Sequence, residues 1–146
     1  MNLSQDFNEF IQLLNDHEVE YLIVGGYAVI LYGYPRYTGY MDSFINPTRT
    51  NAQKVVDVLH QFGFTSLDIS ASDFTNPDMM LQLGRPPLRI DIINSLIGVT
   101  FDERFGNKKN FTIDALNLPV IGLKQLKRNK LASGRHKDLD DVEHLF

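Results

Sequence analysis

The sequence predicts a mixed α/β domain. Helix-spaced and strand-spaced apolar patterns alternate along it, 43% of its 146 residues are hydrophobic, and no repeat, linker or low-complexity tract interrupts the alternation. That length suits a single domain, residues 1–146, built round one core. Phe7, Phe10, Ile11 and Leu14 recur at helical spacing behind Ser4, a capping residue, so the first element is a helix from about Gln5 to Asp16. Tyr21-Leu22-Ile23-Val24 is a short apolar run ended by Gly25-Gly26, the pattern of a buried strand. Tyr27 to Tyr32, closed by Gly33 and Pro35, is a short helix.

Tyr40 to Asn46 alternates as a strand does, with Tyr40, Asp42 and Phe44 on one face and Met41, Ser43 and Ile45 on the other; Pro47 stops it. Thr50 is the expected cap of an amphipathic helix whose buried stripe is Ala52, Val55, Val56, Leu59 and Phe62, with Gly63 as its terminator. Met79–Leu83 and Leu88–Ser95 are two strands joined by the turn Gly84-Arg85-Pro86-Pro87, and Arg89, Asp91 and Ile93 share a face of the second. The polar stretch Asp102–Asn110 is expected to be a loop. Asn117–Ile121 is expected to be an edge segment, because Pro119 has no N–H for a ladder. Two helices, about Leu123–Ser133 and Lys137–Leu145, finish the chain on either side of Gly134.

Composition excludes several functions. Fourteen Lys and Arg against eighteen Asp and Glu give a formal net charge of −4, which argues against the broad basic surface of bulk nucleic-acid binding. With no cysteine there is no disulfide, thiolate metal site or thiol nucleophile. Asp6, Glu9, Asp16, Glu18 and Glu20 are unlike a signal peptide, and no apolar run approaches the ~18 residues of a membrane span, so the expected location is the cytoplasm.

Four features carry chemistry. Gly25-Gly26 between a strand and a helix is either a tight turn or a place where backbone approaches a phosphate. Asp42 and Asp91 are carboxylates within apolar strands, where a charge needs a partner or a metal. Arg89, two residues from Asp91 on one face, supplies the ion-pair alternative. The basic segment Lys124, Lys127, Arg128, Lys130, Arg135 and Lys137 is either a solvated face or a lining for phosphates.

In that order these features resemble the minimal nucleotidyltransferases of the DNA polymerase β superfamily, most closely the AbiEii-like toxin group. The resemblance is carried by YLIVGGYAVILYGYPRYTGYMDSFINP, LRIDII and IGLKQLKRNKLASGRHKDLDDVEHL, which cover nearly the whole chain. It implies a mixed sheet with packed helices. It implies a triphosphate beside Gly25 and Gly26, and Mg²⁺ or Mn²⁺ held by Asp42 and Asp91. Lys124, Lys127 and Lys130 would be the nearest cations. The reaction implied is transfer of a nucleoside monophosphate from an NTP to a protein or RNA hydroxyl, with a toxin–antitoxin type of protein partner. Two metal ions ~3.5–4 Å apart would clamp the attacking and leaving oxygens.

One departure stands out. Tyr40 occupies the first position of the family's Asp-x-Asp pair. A phenol ordinarily titrates near ~10 and is a poor ligand for Mg²⁺. Transfer is therefore expected to be impaired, and the alternative is a non-catalytic module of the same fold that binds a nucleotide or a partner.

Overall fold

A computed structural model describes residues 4–34, 37–64, 68–85, 88–96 and 100–145. The elements in chain order are α1 (Gln5–Asp16), β1 (Tyr21–Val24), α2 (Gly25–Leu31), β2 (Tyr40–Ile45), α3 (Arg49–Gln61), α4 (Ala71–Thr75), β3 (Met80–Arg85), β4 (Leu88–Ile93), α5 (Phe101–Phe105), β5 (Lys109–Ile113), β6 (Leu116–Val120), α6 (Leu123–Ser133) and α7 (His136–His144). The predicted α/β class is what the chain adopts: a mixed six-stranded sheet in the order β3-β4-β2-β1-β6-β5. Pairing is antiparallel within β1–β2, β3–β4 and β5–β6, and parallel along β2–β4 and β1–β6.

Helix α1 and strand β1 fall where the spacing predicts. The Ser4 hydroxyl accepts from the Phe7 N–H, and Phe7, Phe10, Ile11 and Leu14 are all buried. The third helix buries Ala52, Val55, Val56 and Leu59 of its predicted stripe and Val58 besides, while Phe62 is its half-buried C-cap; its N-cap is Thr48, whose hydroxyl accepts from the Asn51 N–H, and not Thr50. Its one buried amide is fully used. Asn51 accepts from the Glu20 N–H at 2.7 Å and donates to the Glu20 and Asn46 carbonyls at 2.9 Å each, tying α3 to the start of β1 and the end of β2.

Three expectations are corrected. Helix α2 begins at Gly25 itself, so β1 passes into it with no intervening loop. The stretch expected to be a polar loop contains α5 and the start of β5; Phe101 of α5 packs edge-on against Phe44 of β2 with ring centroids 5.2 Å apart. Strand β6 is interior, between β1 and β5, and not an edge. Pro119 is accommodated because its pairing with Asn110 falls, counting from the turn, on a position that exchanges no hydrogen bond with β5. On its other side the register with β1 is Ile23↔Val120, where the Ile121 N–H, and not a proline, donates to the Ile23 carbonyl.

The β3–β4 hairpin forms as expected, but its first strand runs on through Gly84 and Arg85, expected to be turn residues, and pairs as far as Arg85↔Leu88; Pro86 and Pro87, like Pro35, lie outside the described residues. The short helix α4 has a capping box built from Ser70 and Asp73, and Asn94 fixes it to the hairpin by donating to the Phe74 carbonyl. The chain ends in α6 and α7, separated by Gly134 in the left-handed region at φ 66°. Among the described residues no helix is long and apolar enough to cross a membrane.

Candidate functional site

Parallel pairing of β2 with β4 sets Asp42 directly beside Asp91 and Tyr40 directly beside Arg89. Alternation turns all four side chains to one face of the sheet. They line a cavity of about 620 Å³ together with Gly25 and Gly26. Lys130, Arg135 and Lys137, from α6, α7 and the turn between them, line it as well. Two carboxylates remote in sequence therefore meet in one pocket, beside the glycine pair.

Gly25 is required by its neighbour. Its φ is +67°, and a Cβ built on it would overlap the Asp42 carboxylate. The strand-to-helix corner and the first aspartate thus occupy adjoining space, and only a residue without a side chain fits between them.

Asp42 is driven towards its protonated form by burial more than by its charged neighbours. Burial, the charge of Asp91 and a hydrogen bond shared with that residue push its carboxyl up from 3.8 to about 6, against the opposing pull of Lys130 and Arg89. Asp91 is only 4% exposed and has its own cation: Arg89 Nε donates to Oδ1 at 2.8 Å and Nη2 to Oδ2 at 3.0 Å, a two-point fork. The same guanidinium lies over the Tyr40 ring, its Cζ 4.1 Å from the ring centroid. Tyr40 is 39% exposed at the cavity wall. The ion-pair alternative for Asp91 is thus realised in the same pocket that gathers the predicted carboxylates.

The predicted basic lining divides. Lys130 lines the cavity, whereas Lys124 is exposed, Lys127 is half-buried, and neither is among the residues that line it. Each step of three residues turns the side chain about 60° round α6, so Lys124 lies about 120° from Lys130 with Lys127 between them. Lys130 is nonetheless not a free phosphate ligand. It is 5% exposed and donates to Asp138 at 3.2 Å and to Asp141 at 2.9 Å, both on α7. Asp138 further accepts from the Ser133 hydroxyl at 2.6 Å and from Arg135 Nε at 2.7 Å. Burial alone would raise the Asp138 carboxyl, but these donors and the Lys130 charge outweigh it and hold it at about 2. Sequence reasoning missed this network; the spacing of Asp138 and Asp141, one helical turn apart on the last helix, was its available signal.

These donors do not fit a two-ion Mg²⁺ site. A phenol stands at the first carboxylate position, both oxygens of Asp91 accept from Arg89, and the described residues hold no group of three or more acidic or histidine side chains placed to take a metal.

No protein-family model matches the chain, and no curated protein does. Solved structures do. TM1012 of Thermotoga maritima, designated a nucleotidyltransferase, superposes with a TM-score of 0.64 at 13% identity over 94% of this chain and 88% of that one. The lincosamide antibiotic adenylyltransferase LnuA, bound to lincomycin, gives 0.61 at 17% identity over 99% and 97%. An antigenic nucleotidyltransferase-like protein from Paracoccidioides brasiliensis gives 0.62 at 20% identity over 99% and 77%. With its sheet order, its strand-to-helix glycine pair and these three likenesses, the chain has the nucleotidyltransferase fold.

Proposed function

We propose that this protein binds a nucleoside triphosphate in the β2–β4 cavity and that its capacity for nucleotidyl transfer is impaired. The observation that carries the reading is the side-by-side register of Asp42 and Asp91 beneath Gly25, with Tyr40 and Arg89 where a further carboxylate and its metal would be needed. The cavity volume suits a nucleotide, since small-molecule sites commonly fall in the range of ~300–1,000 Å³. Cations on both sides of it complement a polyphosphate. Mg²⁺ or Mn²⁺ is the cofactor that the motif resemblance implies for a complete site. A protein or RNA hydroxyl as acceptor and a toxin–antitoxin partnership stand on the same resemblance to the AbiEii-like group, and a cytoplasmic setting on the acidic residues near the N-terminus and the short apolar runs. LnuA, bound to lincomycin, adds a small-molecule hydroxyl to the acceptors worth testing.

Calorimetric titration with ATP, GTP, CTP and UTP tests the binding, and a labelled-NTP assay with Mg²⁺ or Mn²⁺ tests the transfer. The expected result is saturable binding of at least one nucleotide, with no pyrophosphate release above background. Absence of binding by all four, or steady turnover onto any acceptor, overturns the reading.

A further inference from the structure

We infer that Arg89 takes the place of the divalent cation in this pocket, so that the polyphosphate of a nucleotide is held by a guanidinium belonging to the chain and not by a metal. The inference rests on the nucleotide-binding reading above and adds to it the identity of the counter-charge. Arg89 is anchored at two points on Asp91 and stacked on Tyr40, yet it lines the cavity and its side chain remains 23% exposed. A guanidinium carries five N–H donors. The fork on Asp91 uses one on Nε and one on Nη2, which leaves the two on Nη1 and the second on Nη2 for a ligand. It is a permanent cation in a geometry that matches phosphate oxygens. Tyr40 is what makes the arrangement possible. A carboxylate at that position would compete with Asp91 for the guanidinium, whereas an aromatic face supports it from below. Arg135 and Lys137, which also line the cavity, give the phosphate chain further cations.

The test is calorimetric titration of the full chain with each of the four nucleoside triphosphates, once in EDTA and once in excess Mg²⁺, together with titration of Mn²⁺ alone. The inference expects dissociation constants that agree within about threefold between the two buffers, and no Mn²⁺ binding tighter than the millimolar range. Arg89→Gln should weaken the nucleotide at least about tenfold. Because Arg89→Gln leaves Asp91 without its cation and risks misfolding, Arg89→Lys provides a second readout. It keeps the charge, loses the fork and should weaken binding at least about threefold while the circular dichroism spectrum is unchanged. Binding that appears only with Mg²⁺, or that is the same in wild type and Arg89→Lys, overturns the inference while leaving nucleotide binding intact. Failure of all four nucleotides in both buffers removes the nucleotide reading itself, and the inference with it.

Discussion

Gly25 and Asp42 are mutually dependent: the aspartate carboxylate occupies the space that a side chain on residue 25 would need, and the glycine backbone at φ +67° closes the corner between β1 and α2. Gly25→Ala should therefore cost about 2–4 kcal/mol in urea unfolding, from overlap and left-handed strain together. In an Asp42→Ala background the overlap is gone, and the cost should fall to about 1–2 kcal/mol of backbone strain. Equal costs in the two backgrounds would show that the two residues do not interact.

Asp42 also ties stability to pH. Its folded pKa of about 6 lies above the unfolded value of 3.8, so the native state holds the proton more tightly. The contribution is most favourable on the acid side and declines as pH climbs from about 4 to about 6, by up to about 3 kcal/mol. Asp42→Asn mimics the protonated carboxyl. It should match wild type near pH 4 and exceed it in Tm above pH 7, a divergence that thermal melts across that range would reveal.

The α6–α7 network has the opposite sign. The folded Asp138 carboxyl at about 2 lies below its unfolded value, so the stability it confers is present above pH 4 and lost as pH falls towards 2. Asp138→Asn should destabilise the protein by about 3–5 kcal/mol at pH 7, since it leaves buried Lys130 short of one partner. The gap should narrow in melts below pH 4.

Ser43 is wholly buried on the sheet face opposite Asp42, and among the described residues its hydroxyl has no hydrogen-bond partner. Ser43→Ala removes a desolvated polar atom and little volume, so it should leave stability unchanged or raise it by up to about 1 kcal/mol. A loss greater than about 1 kcal/mol in chemical denaturation would mean that the hydroxyl is satisfied in solution.

On the proposed reading, a carboxylate at position 40 should not by itself confer metal binding or transfer. In Tyr40→Asp the new side chain meets the Arg89 guanidinium, so the expected product is another ion pair and no Mn²⁺ affinity. The double variant Tyr40→Asp with Arg89→Leu frees both carboxylates beside Asp42 and should acquire micromolar Mn²⁺ binding, measurable by electron paramagnetic resonance. Turnover in the single variant would contradict this account.

Much of this architecture was legible because one physical signal dominated each segment. The Phe7–Leu14 stripe, the run Tyr21–Val24, the alternation from Tyr40 and the closing Gly134 admit one period each, and the corresponding elements match. The pairing of Asp42 with Asp91 was legible from motif order. Arg89 was legible as a partner for Asp91, but its stacking on Tyr40 needs the β2–β4 register, which no local pattern records. Strand β5 escaped because its turn, Asp114-Ala115, takes positive φ at both residues, 51° and 66°, without the glycine that usually marks such a hairpin. Lys130 was hidden in a run of six basic residues, since burial of one among exposed neighbours depends on where α7 docks.

The parallel β2–β4 seam is a slow kind of contact for a chain to make. The β3–β4 hairpin can zip locally, but bringing Asp91 alongside Asp42 requires closing the long loop that carries α3, α4 and that hairpin. The cleft is lined from both β2 and β4, so it exists only once that seam has closed. Any molecule that grips both strands accordingly acts as a clasp on the finished fold alone, and resistance to heat or protease would report its arrival before any chemistry is sought.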